Sequence, residues 1–247
     1  MDDPRAVAAA PARGLRRRSA WLVPGGLVLV LVFLTVNVRT GLLAGADQRI
    51  REAVQDQAKS SGWRWLEYSR FALARLMVNL GNSGVAVPVL VLTALVVAAH
   101  RRSLRPLLTA GAGFTLLVAT VIPAKMLIGR AAAGQTGLAP SRMGGFPSGQ
   151  TAAACVCYGL AVLLIGPEMP ARIRRIAVAC LLVLCFFLGA ALVWCGYHWF
   201  TDVVAGWALA AVIVPLAMRL TGAQPTAARS SPEPRPLAGV ELLALGG

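Results

Sequence analysis

The sequence predicts an all-α fold: a polytopic membrane protein built as a six-transmembrane-helix bundle. Three observations carry this. The 247 residues are 57% hydrophobic and only 14% charged, with mean hydropathy +0.68; a soluble domain carries more charge and fewer continuous apolar stretches. The apolar residues fall into six runs, separated by proline, glycine and polar breaks. Arginine clusters sit beside alternate connections, the pattern by which membrane proteins set their orientation.

Residues 1–19 are rich in Ala, Pro and Arg and read as a disordered cytoplasmic tail. The first run, Trp21 to Val38, is longer than the core of a signal peptide, and no clear small-residue cleavage site follows it. It is read as an uncleaved transmembrane helix. The stretch 39–80 is mixed. Within it, Asp47 to Val54 suggests an amphipathic helix, either interfacial or simply solvated. Trp63, Trp65 and Tyr68 with nearby arginines suit a membrane interface. Gly81-Asn82-Ser83-Gly84 breaks the chain.

The second run is Val85–Ala99, ended by His100-Arg101-Arg102 and Pro106, and the third is Leu107–Ile122. Pro123, Gly129 and Gly134 then open a loop holding Lys125, Arg130 and Arg142. The fourth run, Thr151–Ile165, follows Phe146-Pro147-Ser148-Gly149-Gln150, and a basic link with Arg172, Arg174 and Arg175 leads to the fifth, Ile176–Val193. A polar interruption at 194–202 precedes the sixth, Val203–Met218. Residues 20–220 thus form one membrane domain, and 221–247 a second disordered tail. The arginines place both termini in the cytoplasm of a bacterial-type plasma membrane, and the 39–80, 124–150 and 194–202 segments on the outer side.

The net charge of +14 and pI near 11.2 would suggest nucleic acid in a soluble protein. Here no basic surface interleaved with aromatics is visible, and nucleic acid is not an expected partner. The tail cluster Arg16-Arg17-Arg18 is placed to meet anionic lipid heads. The five cysteines (155, 157, 180, 185 and 195) match no zinc spacing and read as small buried apolar residues. No metal and no cofactor is expected.

Three polar patches share the outer side. The first is Lys125 with Arg130. In the second, Ser148 is placed to cap a helix whose free N–H groups and positive dipole end attract anions. An ordinary loop-to-helix junction would look the same. In the third, His198 and Asp202 are four apart, one face of a helix; a carboxylate there can hold the imidazole tautomer and raise the basicity of the other nitrogen. A structural cap is the alternative for that pair. Cations, an anion-binding helix start and a polarised histidine are together the parts that phosphoryl transfer needs.

Order and spacing resemble the type 2 phosphatidic acid phosphatase family of membrane lipid phosphatases, over roughly residues 80–220. That family's pattern is a lysine followed after six residues by Arg-Pro, then Pro-Ser-Gly-His, then Ser-Arg, five residues, His, three residues and Asp. Lys125 fits the first motif, Pro147-Ser148-Gly149 the second, and His198 and Asp202 the third. The resemblance implies that His198 is a nucleophile forming a phosphohistidine, oriented by Asp202. It implies that Lys125 and the Ser148-Gly149 turn hold phosphate oxygens. Ala132 and Ala133 stand where Arg-Pro is expected, with Arg130 two residues early; Gln150 replaces the acid histidine, and Ala191-Leu192 replace Ser-Arg. Loss of a general acid costs about 10²–10⁴ in rate, and loss of a transition-state arginine about 10³–10⁵. Two functions follow: an impaired lipid phosphatase or diphosphatase acting on lipid phosphates among membrane lipids, or a non-catalytic lipid-phosphate-binding pseudo-phosphatase. A diphosphate expels phosphate, a better leaving group than an alkoxide, so residual activity should favour lipid diphosphates, with Arg130 or Arg142 supplying charge.

Overall fold

The computed structural model describes residues 11–60, 64–131, 133 and 144–223. Every regular element among them is helical: α1 (Pro11–Thr40), α2 (Ala44–Ser60), α3 (Arg64–Leu80), α4 (Ser83–Arg101), α5 (Arg105–Ile128), α6 (Gly149–Ile165), a 3₁₀ turn (Gly166–Glu168), α7 (Ala171–Trp194) and α8 (Phe200–Leu220). Helix α1 begins at Pro11, inside the stretch read as a tail. Residues 1–10 and the tail from 224 onward lie outside the described residues, as do Trp63, Ala132, Gly134, Arg142 and the side chains of Trp65 and Tyr68.

Five helices, α4 to α8, are long and apolar enough to cross a bilayer, α6 with its 3₁₀ extension. A sixth span is available in the pair Gly25–Thr40 and Ala44–Val54, which bends by 88° at a short break. Gly41, at φ 75°, occupies that elbow; left-handed backbone of this kind suits a residue without Cβ. In a bilayer all backbone groups must be satisfied within the segment, which is why apolar runs of this length become helices.

Helix α6 is the hub, packed by α4, α5, α7 and α8. Its buried residues are mainly small (Ala152, Ala153, Ala154, Cys157, Gly159, Ala161), with Val156, Leu160 and Leu164 filling between them. Lipid supplies no hydrophobic drive between helices, so close approach of small residues and dispersion hold such a bundle. Helix α8 meets the backbone at the start of α6 at Gly206, where an added Cβ would stand 2.9 Å from the Ser148 carbonyl oxygen and 2.9 Å from Thr151 Cβ. Ser148 and Thr151 bracket the first turn of α6. Helix α1 closes the far side of α8 through Leu34, Phe146 and Ala205.

The third run does not end at Ile122: α5 continues through Pro123 to Ile128 and is closed by Gly129 at φ 60°. Lys125 therefore belongs to a helix's last turn and not to a loop. Proline removes one backbone donor but is tolerated inside membrane helices, as also at Pro88 and Pro215. The cysteines are all free, but only Cys157 and Cys185 are buried, and Cys180 is exposed on the outside of α7.

Candidate functional site

Ser148 is the N-cap of α6, with φ −64° and ψ 109°. Its Oγ accepts from the Thr151 amide at 3.3 Å and lies 2.9 Å from the Thr151 hydroxyl. The cap leaves the Gly149 and Gln150 amides without intrahelical partners, as at any helix start. Ser148 is wholly buried and its own N–H donates to the Asp202 carbonyl at 2.9 Å. That bond ties the Pro-Ser-Gly turn to the start of α8, a separation of 54 residues in the chain. Lys125 joins them from α5: its Cε lies 3.4 Å from where a Gly149 Cβ would be, and its Nζ donates to the Gly144 carbonyl at 2.7 Å. Gln150, second in α6, is half-buried.

His198 and Asp202 are neighbours, but not as residues on one helical face. Helix α8 starts at Phe200, so His198 precedes it in a turn held by the Leu192 carbonyl, which accepts from the His198 amide at 3.3 Å. His198 Nδ1 is 3.5 Å from Asp202 Oδ2, buried, and without a hydrogen-bond partner among the described residues. The contact is close enough for electrostatic attraction and too poorly placed for a hydrogen bond. The Asp202 carboxylate is engaged elsewhere. Its Oδ2 accepts from the Trp199 amide at 3.1 Å, the reciprocal arm of a helix cap, and its Oδ1 pairs with Arg130 Nη1 at 2.6 Å.

Arg130 is the centre of a charge network that the sequence did not announce. Besides Asp202 it donates to the Thr201 hydroxyl at 2.7 Å and, through Nη2, to Asp47 at 2.6 Å. Asp47, 2% exposed, also accepts from the Thr201 amide at 3.1 Å and the Thr201 hydroxyl at 2.6 Å. The expectation of an interfacial or solvated 47–54 helix therefore fails at Asp47. The elbow after Thr40 turns α2 so that this carboxylate enters the start of α8, where amide, hydroxyl and guanidinium satisfy it. A buried carboxylate needs such partners. Trp199 adds an aromatic wall: its ring centroid is 5.3 Å from the Arg130 guanidinium carbon and 5.5 Å from that of Arg51, on α2.

The motif residues Lys125, Ser148, Gly149, His198 and Asp202 thus gather at one end of the bundle, with Arg130 in their midst. The positions expected to carry the third-motif Ser-Arg, Ala191 and Leu192, are buried apolar packing residues against α6 and α8. Asp47 and Arg51 are the residues that motif reasoning missed. Their one sequence signal is an acid and a base at i and i+4 on a single helix face, a common surface pattern.

Residues 106–225 match the family model of the PAP2 superfamily. Among solved structures, the fold is similar to a transmembrane PAP2-type phosphatidylglycerolphosphate phosphatase from Bacillus subtilis. The TM-score is 0.67 and the identity 21%, over 81% of this chain and 96% of that one. No curated protein matches significantly in sequence. These findings bear out the resemblance read from the motifs, and with the apolar helices they make the protein an integral membrane protein with a PAP2 membrane-phosphatase-like fold.

Proposed function

From a PAP2-superfamily region spanning residues 106–225, we propose that the protein is a lipid phosphatase or diphosphatase with an impaired site, working through His198. The observation that supports this most directly is the Ser148 amide bond to the Asp202 carbonyl, because it sets an anion-attracting helix start beside the histidine. In this reading the phosphoryl oxygens lie on the free amides of Gly149 and Gln150 and near Lys125. His198 Nε2 attacks phosphorus with its lone pair. The P–O bond to the leaving group breaks, and the leaving oxygen takes the electron pair. Asp202 stabilises the positive phosphoimidazole that results. Water then attacks phosphorus, frees Nε2, and gives its proton to solvent.

Gln150 donates a hydrogen bond but supplies no proton, so alkoxide departure is slow. Attack on the terminal phosphorus of a lipid diphosphate expels the lipid monophosphate, which needs no such proton, and this is why lipid diphosphates are the favoured substrates. The arginine distribution supports a site at the outer face of a bacterial-type plasma membrane, with both termini in the cytoplasm.

The test is phosphate release from a panel of lipid mono- and diphosphates by the native protein, His198→Ala and Gln150→His. We expect slow turnover of diphosphates, abolished in His198→Ala, and a gain on monoesters in Gln150→His. Equal or better turnover of a phosphatidate-type monoester by the native protein counts against the substrate preference. A flat result in all three counts against catalysis altogether.

A second reading, a lipid-phosphate-binding pseudo-phosphatase, has its own observation. Asp202 spends both carboxylate oxygens on Arg130 and the Trp199 amide, and His198 Nδ1 is left without a hydrogen bond. A histidine so held is poorly prepared to attack phosphorus. The flat result described above is the outcome this reading expects.

A further inference from the structure

We propose that Arg51, on α2, is a phosphate-binding cation of this site, a role carried from outside the three motif segments and outside residues 106–225. The proposal builds on the phosphate chemistry proposed above and names a residue that the motifs do not contain.

The other cations at this end of the bundle already have acceptors. Arg130 lies between two carboxylates, Asp47 and Asp202, each at 2.6 Å, so its charge is more than compensated. Lys125 donates to the Gly144 carbonyl. Arg51 is different. Its Nε is buried and has no hydrogen-bond partner, and no ion pair joins it among the described residues. A buried guanidinium donor without an acceptor carries the full cost of its desolvation. Such a group in a native structure points to an acceptor that arrives from elsewhere.

Position supplies the second part. Asp47 clamps α2 onto the amide and hydroxyl of Thr201. Arg51 is one helical turn further, on the same face. Its guanidinium carbon sits 5.5 Å from the centroid of the Trp199 ring, which Arg130 approaches to 5.3 Å. Trp199 follows His198 directly in the chain. Both guanidinium groups lie against one indole, and Arg51 is the one whose charge no carboxylate ion pair meets among the described residues. The planar donor fork of arginine matches phosphoryl oxygens in geometry as well as charge. The ligand class is therefore a phosphate oxyanion, presented by a lipid headgroup or as free phosphate.

The experiment uses the full-length protein in phosphatidylcholine nanodiscs, with and without phosphatidate, and measures the Kd for inorganic phosphate. For Arg51→Gln we expect a Kd raised by about tenfold or more, as for loss of a charge-assisted bond to a desolvated anion, at an unchanged thermal midpoint. Arg51→Lys should recover part of the loss, because it restores charge without the fork; a merely structural arginine would show no such recovery. An unchanged Kd in folded Arg51→Gln overturns the proposal, and so does absence of phosphate binding by the native protein. The phosphatidate arm separates the sources. Competition by phosphatidate, lost in Arg51→Gln, supports a lipid headgroup at Arg51. Phosphate binding that depends on Arg51 but ignores phosphatidate keeps the proposal and removes the lipid assignment. Turnover of lipid phosphates with an unchanged KM in Arg51→Gln keeps the enzyme reading and overturns the proposal.

Discussion

Arg130 stands two positions before the place where the family pattern carries an arginine, and its neighbours explain what the shift does. It is 15% exposed and bridges carboxylates that are 1% and 0% exposed. Removing one partner of a buried ion pair leaves an uncompensated charge and costs about 3–5 kcal/mol. Removing Arg130 strands two carboxylates at once, whereas Asp47→Asn leaves Arg130 paired with Asp202 and keeps an acceptor for the Thr201 hydroxyl. We therefore expect Arg130→Met to destabilise the protein by about 3–5 kcal/mol and Asp47→Asn by only about 1–3 kcal/mol. Chemical unfolding in one detergent checks the order; the reverse order would mean that Asp47, not Arg130, is the keystone. The same reasoning bears on His198. So long as Arg130 draws on Asp202, the carboxylate is a weaker partner for the imidazole than the family pattern implies.

Between elements, the decisive contact is α6 against α8. Gly206 lets the two backbones meet, and a methyl group there would meet the Ser148 carbonyl oxygen at 2.9 Å and the Ala152 nitrogen at 3.2 Å. Backbone cannot swing aside as a side chain does. Gly113, on α5, contrasts with it: there an added Cβ meets the end of the Leu160 side chain, which can change rotamer at a cost. Overpacking of this kind costs about 1–3 kcal/mol at either position. Only Gly206→Ala is expected to push the Pro-Ser-Gly turn away from the histidine segment. Phosphate binding should fall at least tenfold in Gly206→Ala and stay within about twofold in Gly113→Ala, measured on samples matched for thermal stability. Equal loss in both would show that general loosening, not the Ser148–Asp202 tie, governs the site. The glycine was visible in the sequence as part of Val203-Val204-Ala205-Gly206, but its meaning as a backbone contact needed coordinates.

At the scale of the molecule, apolar runs and breakers gave the membrane helices their order, because in lipid the hydrogen-bonding demand of the backbone leaves little alternative to a helix. Ends set by glycine conformation were less legible: Pro123 looked like a terminator, while Gly129 is the real one. Motif residues separated by dozens of positions could be paired by family pattern, but Asp47 and Arg51 could not. Their placement depends on an 88° elbow, and polar residues at helical spacing usually face water. The two ends of the bundle are consequently held in different ways. At the site end, Asp47, Arg130, Thr201 and Asp202 form a buried network. At the other end, Arg101 donates to the Leu164 carbonyl at 2.8 Å and pairs with Glu168 at 2.9 Å, with side chains 31% and 40% exposed. Exposed pairs of this kind are worth about 0.2–1 kcal/mol and are screened by salt, with a Debye length of about 3 Å at 1 M. Glu168→Gln should therefore cost less than about 1 kcal/mol, and that cost should shrink as salt is raised. The cost of Arg130→Met should persist at high salt, since water and ions do not reach the carboxylates it leaves behind. Unfolding of both variants across a salt series reads this directly. A salt-sensitive Arg130→Met penalty would mean that water and ions reach the Asp47 and Asp202 carboxylates once the guanidinium is gone.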